Sequence, residues 1–457
     1  MKTIKRYPLF LFTVLVVLAL LVSPAIAQDP VTVTIFVGLG TGTSPEQFEP
    51  QMALQERFNA SHDDLQIEFF IVPHDTSEDQ LTTMIAGGNP PDLVGPNGIS
   101  TIALFLDNWA DITPFIEADM FDTSDFYEAS LGLNAYAHVN TGLPLGLFPS
   151  FIFYNVDIFD AEGVEYPPAD FMDTSWTYDA LRERAMLLTL DGDGNNATSP
   201  DFDPGNIVQW GYDDSWTSAR EKIAPWGSDR VGSPTNEDYT VAIANNEHWV
   251  RGLQWYSDGI HVDHFIPGVD GIAAYESAGI GTPLDGGLIG MFHSHTWYLT
   301  ELGFDGIDFD VEIAPVPFNP VGTRVATMHA DNFTIPETSQ NKEAAWEVMK
   351  WLTSPEQIVD VCLIYGCIPA RMSVAEEFRA ALEANFPDIN YDVIFESINY
   401  LDDPNHESWT PQWGRMEDAM ALAESKVITG ENTDAQAVLD EANDTIQALL
   451  DEYWASQ

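Results

Sequence analysis

Val31-Thr32-Val33-Thr34-Ile35-Phe36-Val37 is a β-branched run that breaks at once into Gly38-Leu39-Gly40-Thr41-Gly42-Thr43-Ser44. That composition and length read as a strand, and the glycine- and threonine-rich segment behind it reads as a turn. Working outward, a helical pattern runs from Pro45 to about Asn59, and Leu65–Val72 is a second strand. A helix from about Ser77 to Ala86 stops at Gly87-Gly88. Pro91–Val94 then gives a short third strand, and Gly95-Pro96-Asn97-Gly98 a turn. Strands separated by single helices predict an α/β fold with a parallel sheet covered on both faces. Ligands of such sheets sit beyond the carboxyl ends of the strands, so the loops after Val37 and Val94 form the expected binding edge.

Upstream of that first strand, Lys2, Lys5 and Arg6 precede an apolar run from Leu9 to Val22. Ser23-Pro24-Ala25-Ile26-Ala27 follows, with small side chains at 25 and 27 where a signal peptidase reads them. A transmembrane anchor fits less well: the apolar run falls short of the roughly 20 residues a spanning helix needs, and Pro24 breaks it. Residues 1–27 are therefore expected to be a cleaved signal peptide, leaving Gln28 at the mature N-terminus. No Cys follows the apolar run, so lipid attachment there is not expected. The mature chain should be soluble in a periplasmic or extracellular space.

The 457-residue chain carries a formal charge of −55, and loss of the three leader cations makes it −58. Such a charge repels nucleic acid and anionic membrane alike, which removes both as partners. Cys362 and Cys367, five residues apart, allow a small-loop disulfide in an oxidising compartment, though the sequence does not decide it. Thirteen Trp exceed what a core needs, and surplus Trp often lines ligand clefts.

Further along, Phe151–Tyr154 and Asp310–Val316 read as strands, and Thr177–Thr189 and Asn341–Leu352 as helices. Two amphipathic helices close the chain, from about Trp413 to Lys426 and from Asp434 to Leu450. The polar loop from Asp191 to Pro204 opens with the Asp-x-Asp-x-Asn spacing of a calcium loop. Its ligands would be Asp191, Asp193, Asn195 and Ala197, with Asp201 or Asp203 supplying the bidentate carboxylate because Phe202 occupies position twelve. Any such calcium would be structural; no cofactor is required.

Several segments, taken in order, resemble the family 1 extracellular solute-binding proteins of ABC importers, the sugar-binding class that includes maltose-binding protein. They are Phe153-Tyr154-Asn155-Val156-Asp157-Ile158-Phe159, then Ser175-Trp176-Thr177-Tyr178-Asp179-Ala180-Leu181 behind Pro167-Pro168. Asp331-Asn332-Phe333-Thr334-Ile335-Pro336, Asn341–Glu347, Lys350–Glu356 and Gly366–Arg371 complete the set. The resemblance implies a two-lobed periplasmic-binding-protein fold of type II, hinged between discontinuous lobes. Lobe 1 would hold 28–148 and 309–368, and lobe 2 149–308 and 369–457. The cleft would lie at the crossovers near Phe148-Pro149 and Val316-Pro317.

The same resemblance places candidate ligand contacts. Gly290–Trp297 is similar to the segment whose Trp stacks on a sugar ring, which selects Trp297, with His293 and His295 in polar roles. Trp413 stands where a second aromatic platform is expected, with Trp409 four residues earlier, and Trp226 where the second lobe supplies another. At least two of Trp226, Trp297 and Trp413 are expected to line the cleft. Polar partners come from loop ends: Thr41 and Thr43 after the first strand, and Asn97 after the third. Phe148, His329, Asp331 and Asn332 sit at the crossovers, and Asp331 is the preferred carboxylate because charge-assisted bonds to hydroxyls are strong.

These readings predict a monomeric protein that captures a mono- or oligosaccharide and delivers it to the transmembrane subunits of an ABC permease. The competing classes are an exported glycoside hydrolase and a receptor that presents solute to a membrane sensor. No Gly-x-Ser-x-Gly, His-Glu-x-x-His or P-loop occurs, so hydrolysis has only scattered carboxylates to draw on.

Overall fold

The computed structural model describes residues 29–136, 139–214, 219–227, 233–278, 284, 286–301, 309–385, 389–402 and 409–457. The signal peptide expected at 1–27 lies outside them. The principal strands are β1 (Val31–Val37), β2 (Leu65–Ile71), β3 (Leu93–Gly98), β4 (Gly142–Asn155), β5 (Ile207–Asp213), β6 (Ile289–His295), β7 (Val311–Ala314), β8 (Met328–Thr334) and β9 (Ile368–Pro369). The helices that bear on the site are α1 (Pro45–Ser61), α2 (His74–Ala86), α3 (Ile99–Leu104), α4 (Ala219–Ile223), α5 (Glu247–His261), α6 (Lys342–Leu352), α7 (Pro355–Tyr365), α8 (Trp413–Ile428) and α9 (Ala435–Ser456).

The opening strand–helix–strand unit forms as its pattern predicts: β1 runs parallel to β2 and to β3. From there the strand order is β2-β1-β3-β8-β4-β6-β5, and β7 and β9 also pair with β4. The sheet is mixed, because β8 is antiparallel to both β3 and β4, and β6 is antiparallel to β4. Parallel pairing returns between β5 and β6.

β4 is the element that joins the halves, and the sequence reading foresaw only its last third. All 14 of its residues are buried. Its first part pairs with β8, and the partner changes at Pro149-Ser150: Pro149 lies opposite Met328, and Ser150 opposite His295. Gly142, Pro144, Gly146 and Pro149 hid the strand, since such residues normally punctuate one. Here the glycines permit close approach. A Cβ on Gly142 would lie 2.2 Å from the Phe333 carbonyl oxygen, and one on Gly146 2.5 Å from Cys367 Sγ. Pro144 faces Asn332 at a register shift, where a missing N–H is tolerated. Gly95–Gly98, expected as a turn, is likewise strand and pairs with β8.

One continuous apolar cluster holds both halves, from Val33 and Ile35 through Phe148, Phe151 and Phe153 to Phe292 and Trp346. A second cluster packs the terminal helices: Met416, Met420, Ala423 and Val427 of α8 meet Val438, Leu439, Ala442 and Ile446 of α9. These are the three- and four-residue spacings that one helical face requires. Asp434 caps α9 by accepting from the Ala437 N–H. Cys362 and Cys367 are joined by a disulfide that closes the end of α7. No helix among the described residues is long and apolar enough to cross a membrane.

Candidate ligand cleft

A cleft of about 500 Å³ opens at the carboxyl end of β1, the edge that the parallel unit predicts. Its wall is the β1 turn, Leu39 to Ser44, with Gln47 of α1 and His74 at the start of α2. Gly98 and Ser100 follow β3; Phe148 comes from β4, Trp297 from the turn after β6, and His329 and Asp331 from β8. Six segments distant in sequence therefore meet, and six expected residues come together: Thr41, Thr43, Phe148, Trp297, His329 and Asp331. His329 and Asp331 share a face because strand side chains repeat every two residues.

Asp331 is the buried charge of the site, 4% exposed. Its Oδ2 accepts from the Thr41 N–H at 3.2 Å and from the Thr41 hydroxyl at 3.1 Å. The turn comes this close because Gly40 has no side chain; a Cβ there would lie 2.7 Å from Oδ2. The described residues give Oδ1 no hydrogen-bond partner. Burial pushes the carboxyl up to about 6, opposed by the two Thr41 hydrogen bonds and the nearby His74.

Facing it is an aromatic wall. Trp297, half-buried, stacks on His295 with centroids 4.1 Å apart and planes at 20°. Phe148 lies 5.4 Å from the indole, and His329 meets it edge-on at 5.3 Å. His295 does not line the cleft; it backs the indole. Its Nδ1–H donates to the Phe148 carbonyl at 2.7 Å, which fixes the ring and couples the two aromatic residues. Behind His329, Arg220 of α4 donates to the Met328 carbonyl at 2.8 Å and pairs with Asp402 at 2.5 Å, both side chains buried.

The other expected contacts lie elsewhere. Asn97 and Asn332 are opposite one another in the sheet. The Asn97 amide is spent on Thr334 Oγ1 at 2.8 Å and the Val94 carbonyl, and neither Asn lines the cleft. His293 is buried in the sheet opposite Ile152, its ring 6.4 Å from that of His295. Trp226 is a packing residue, stacked on Tyr178 at 4.3 Å and tilted against Trp255. Trp409 and Trp413 are buried against a second groove of about 570 Å³, with Leu104, Tyr239 and Trp454. They sit there because α8 is pressed on α3, close enough that a Cβ on Gly414 would lie 2.8 Å from Leu104. Of the three Trp expected to supply at least two platforms, only Trp297 reaches this cleft. Conversely, His74, Gln47 and Ser100 escaped the sequence reading. The strand-end rule that chose the loops after β1 and β3 applies equally to β2, whose end leads to His74.

The segment expected as a calcium loop is organised around Asp191. Asp191 holds residues 191–203 together: Oδ2 accepts from the Asp203 N–H, and Oδ1 from the N–H groups of Asp193 and Asn195. The Asn195 side chain also presents its Nδ2 to Asp191. The Asp203 N–H, with those of Asn195 and Asp193, holds the Asp191 carboxyl down at about 2 against burial. Among the described residues no group of three or more His, Cys, Asp or Glu is placed to hold a metal ion.

The sequence profile of the bacterial extracellular solute-binding proteins matches residues 42–359, well over half of the chain. The chain belongs to that family. This solute-binding protein is 21% identical over 407 residues to a chain described as a binding protein of Brucella abortus, covering 87% of the one and 89% of the other. It is also similar to a Listeria monocytogenes ABC substrate-binding protein in complex with cycloalternan, with a TM-score of 0.76 at 21% identity and 92% and 99% of the two chains covered. A maltose-bound protein of T. maritima gives 0.71 at 18% identity, with the same coverage. A Thermotoga lettingae solute-binding protein bound with α-D-tagatose gives 0.72 at 19%, again over 92% and 99%. These likenesses show the fold of the solute-binding protein: the two-lobed α/β architecture of periplasmic binding proteins.

Proposed function

We propose that this protein captures a mono- or oligosaccharide between its lobes and hands it to an ABC permease. The observation that carries this reading is the pairing of the Phe148–Trp297 wall with Asp331 and Thr41 in one cleft. A sugar presents a flat face of C–H groups and a rim of hydroxyls. The indole takes the face by burying apolar area, and the carboxylate and threonines take the rim. The sugars bound by the structural relatives support the same reading. Asp331 is the single carboxylate lining the cleft among the described residues, whereas glycoside cleavage uses a pair; this favours binding without turnover.

On this reading residues 1–27 direct export and are removed, and the protein acts as a soluble monomer without a cofactor. The lobes are 28–148 with 309–368, and 149–308 with 369–457. The partner change of β4 at Pro149-Ser150 supports the first of these boundaries. Isothermal titration of the mature protein against hexoses, disaccharides and maltodextrins tests the function. Saturable binding with no release of reducing ends is expected. Cleavage of a glycoside, or no binding across the panel, would overturn it.

A further inference from the structure

Resting on the saccharide reading, we infer that the cleft selects a sugar carrying a protonated amine over a neutral one. The cleft holds a carboxylate with one oxygen committed to Thr41 and no hydrogen-bond partner for the other among the described residues. Among those residues no Lys or Arg lines the cleft. The Arg220 guanidinium stands behind His329 and is already paired with Asp402. A buried carboxylate without a counter-ion is costly, and it is stabilised by a proton or by a cation brought from outside. A hydroxyl donates to Oδ1 but leaves the charge uncompensated. An ammonium donates and neutralises at once, which makes its hydrogen bond the stronger kind. Phe148 and Trp297 add π faces to the same space, and aromatic faces beside a carboxylate are a recognised cradle for ammonium groups. The surrounding charge of −55 draws cations toward the cleft and repels anionic sugars.

The titratable groups facing Asp331 are His74 from α2, His329 beside it on β8, and the Tyr365 phenol at the end of α7. Raising the pH from about 5 to about 7 ionises Asp331. The carboxylate so formed strengthens the hold on an ammonium. The preference for amine therefore grows over that range, and falls again once the amine itself loses its proton.

The test is calorimetry of the mature protein with a hexosamine, the matching hexose, its N-acetyl derivative, and choline as an amine without a sugar ring. The hexosamine is expected to bind at least about ten-fold more tightly than either neutral sugar. Asp331→Asn is expected to bring the hexosamine and hexose within about three-fold of each other. Because that variant could fail to fold, the pH series on the unmodified protein is a second arm; a hexosamine-to-hexose ratio that does not rise with pH overturns the inference. Equal or tighter hexose binding also overturns it and leaves sugar capture standing. Choline binding without any sugar binding sinks the saccharide reading instead.

Discussion

Asp331 serves the site at the expense of the fold. An unfolded Asp titrates near 3.9, whereas burial raises this one to about 6. Between those values the folded state holds the extra proton, so stability is greatest near pH 4 and falls as pH rises through about 6, by on the order of 2–3 kcal/mol. Urea denaturation from pH 4 to pH 7 should show that loss, and Asp331→Asn should flatten it. Arg324 is a second costly residue. It is 5% exposed, lies over the rings of Phe318 at 4.4 Å and Phe171 at 5.0 Å, and has no hydrogen-bond partner for any guanidinium nitrogen among the described residues. Burial lowers it to about 10. Replacing a buried, unpaired charge by an apolar group of similar length is expected to stabilise, so Arg324→Met should raise the unfolding free energy by about 1 kcal/mol or more. A drop would mean that the two phenyl faces more than offset desolvation.

At the scale of elements, the disulfide-closed end of α7 buttresses two walls of the cleft. Tyr365 packs beneath Gly42, where a Cβ would lie 2.9 Å from its ring. Gly366, at φ +72°, passes so close to Trp297 that a Cβ would lie 2.7 Å from the Trp297 Cα. Gly366→Ala is therefore expected to cost about 1–2 kcal/mol of stability and, by displacing the indole, to weaken sugar binding several-fold. Trp297→Ala should weaken it about ten-fold or more, roughly 1.4 kcal/mol, with little change in melting; unchanged titrations would remove Trp297 from the site. Periodicity made much of this level legible. The β1–α1–β2 unit and the inward faces of α8 and α9 lie where their spacing puts them. Glycine and proline concealed β4 and the end of β3, because a residue that breaks a strand and one that permits close approach look alike in sequence. The cleft was legible as far as strand ends and crossovers locate side chains. Asn97 and Trp413 were misplaced because the facing of a strand residue and the seating of α8 on α3 depend on long-range packing.

Over the whole molecule, self-repulsion from a charge of −55 opposes compaction. Salt screens it, so the melting temperature should climb steadily between 10 mM and 1 M sodium chloride. Calcium at millimolar concentration should add nothing beyond a control of matched ionic strength, and a specific chelator-reversible rise would restore a role for residues 191–203. The hydrogen bond between Thr41 and Asp331 spans 290 residues of chain. On the export proposed above, a polypeptide threading across a membrane from its N-terminus delivers the β1 turn early and its carboxylate partner late. Throughout that interval half of the binding surface exists without the other half. On that reading a translocating chain cannot compete with finished ones for solute until Asp331, within the last third of the polypeptide, has crossed.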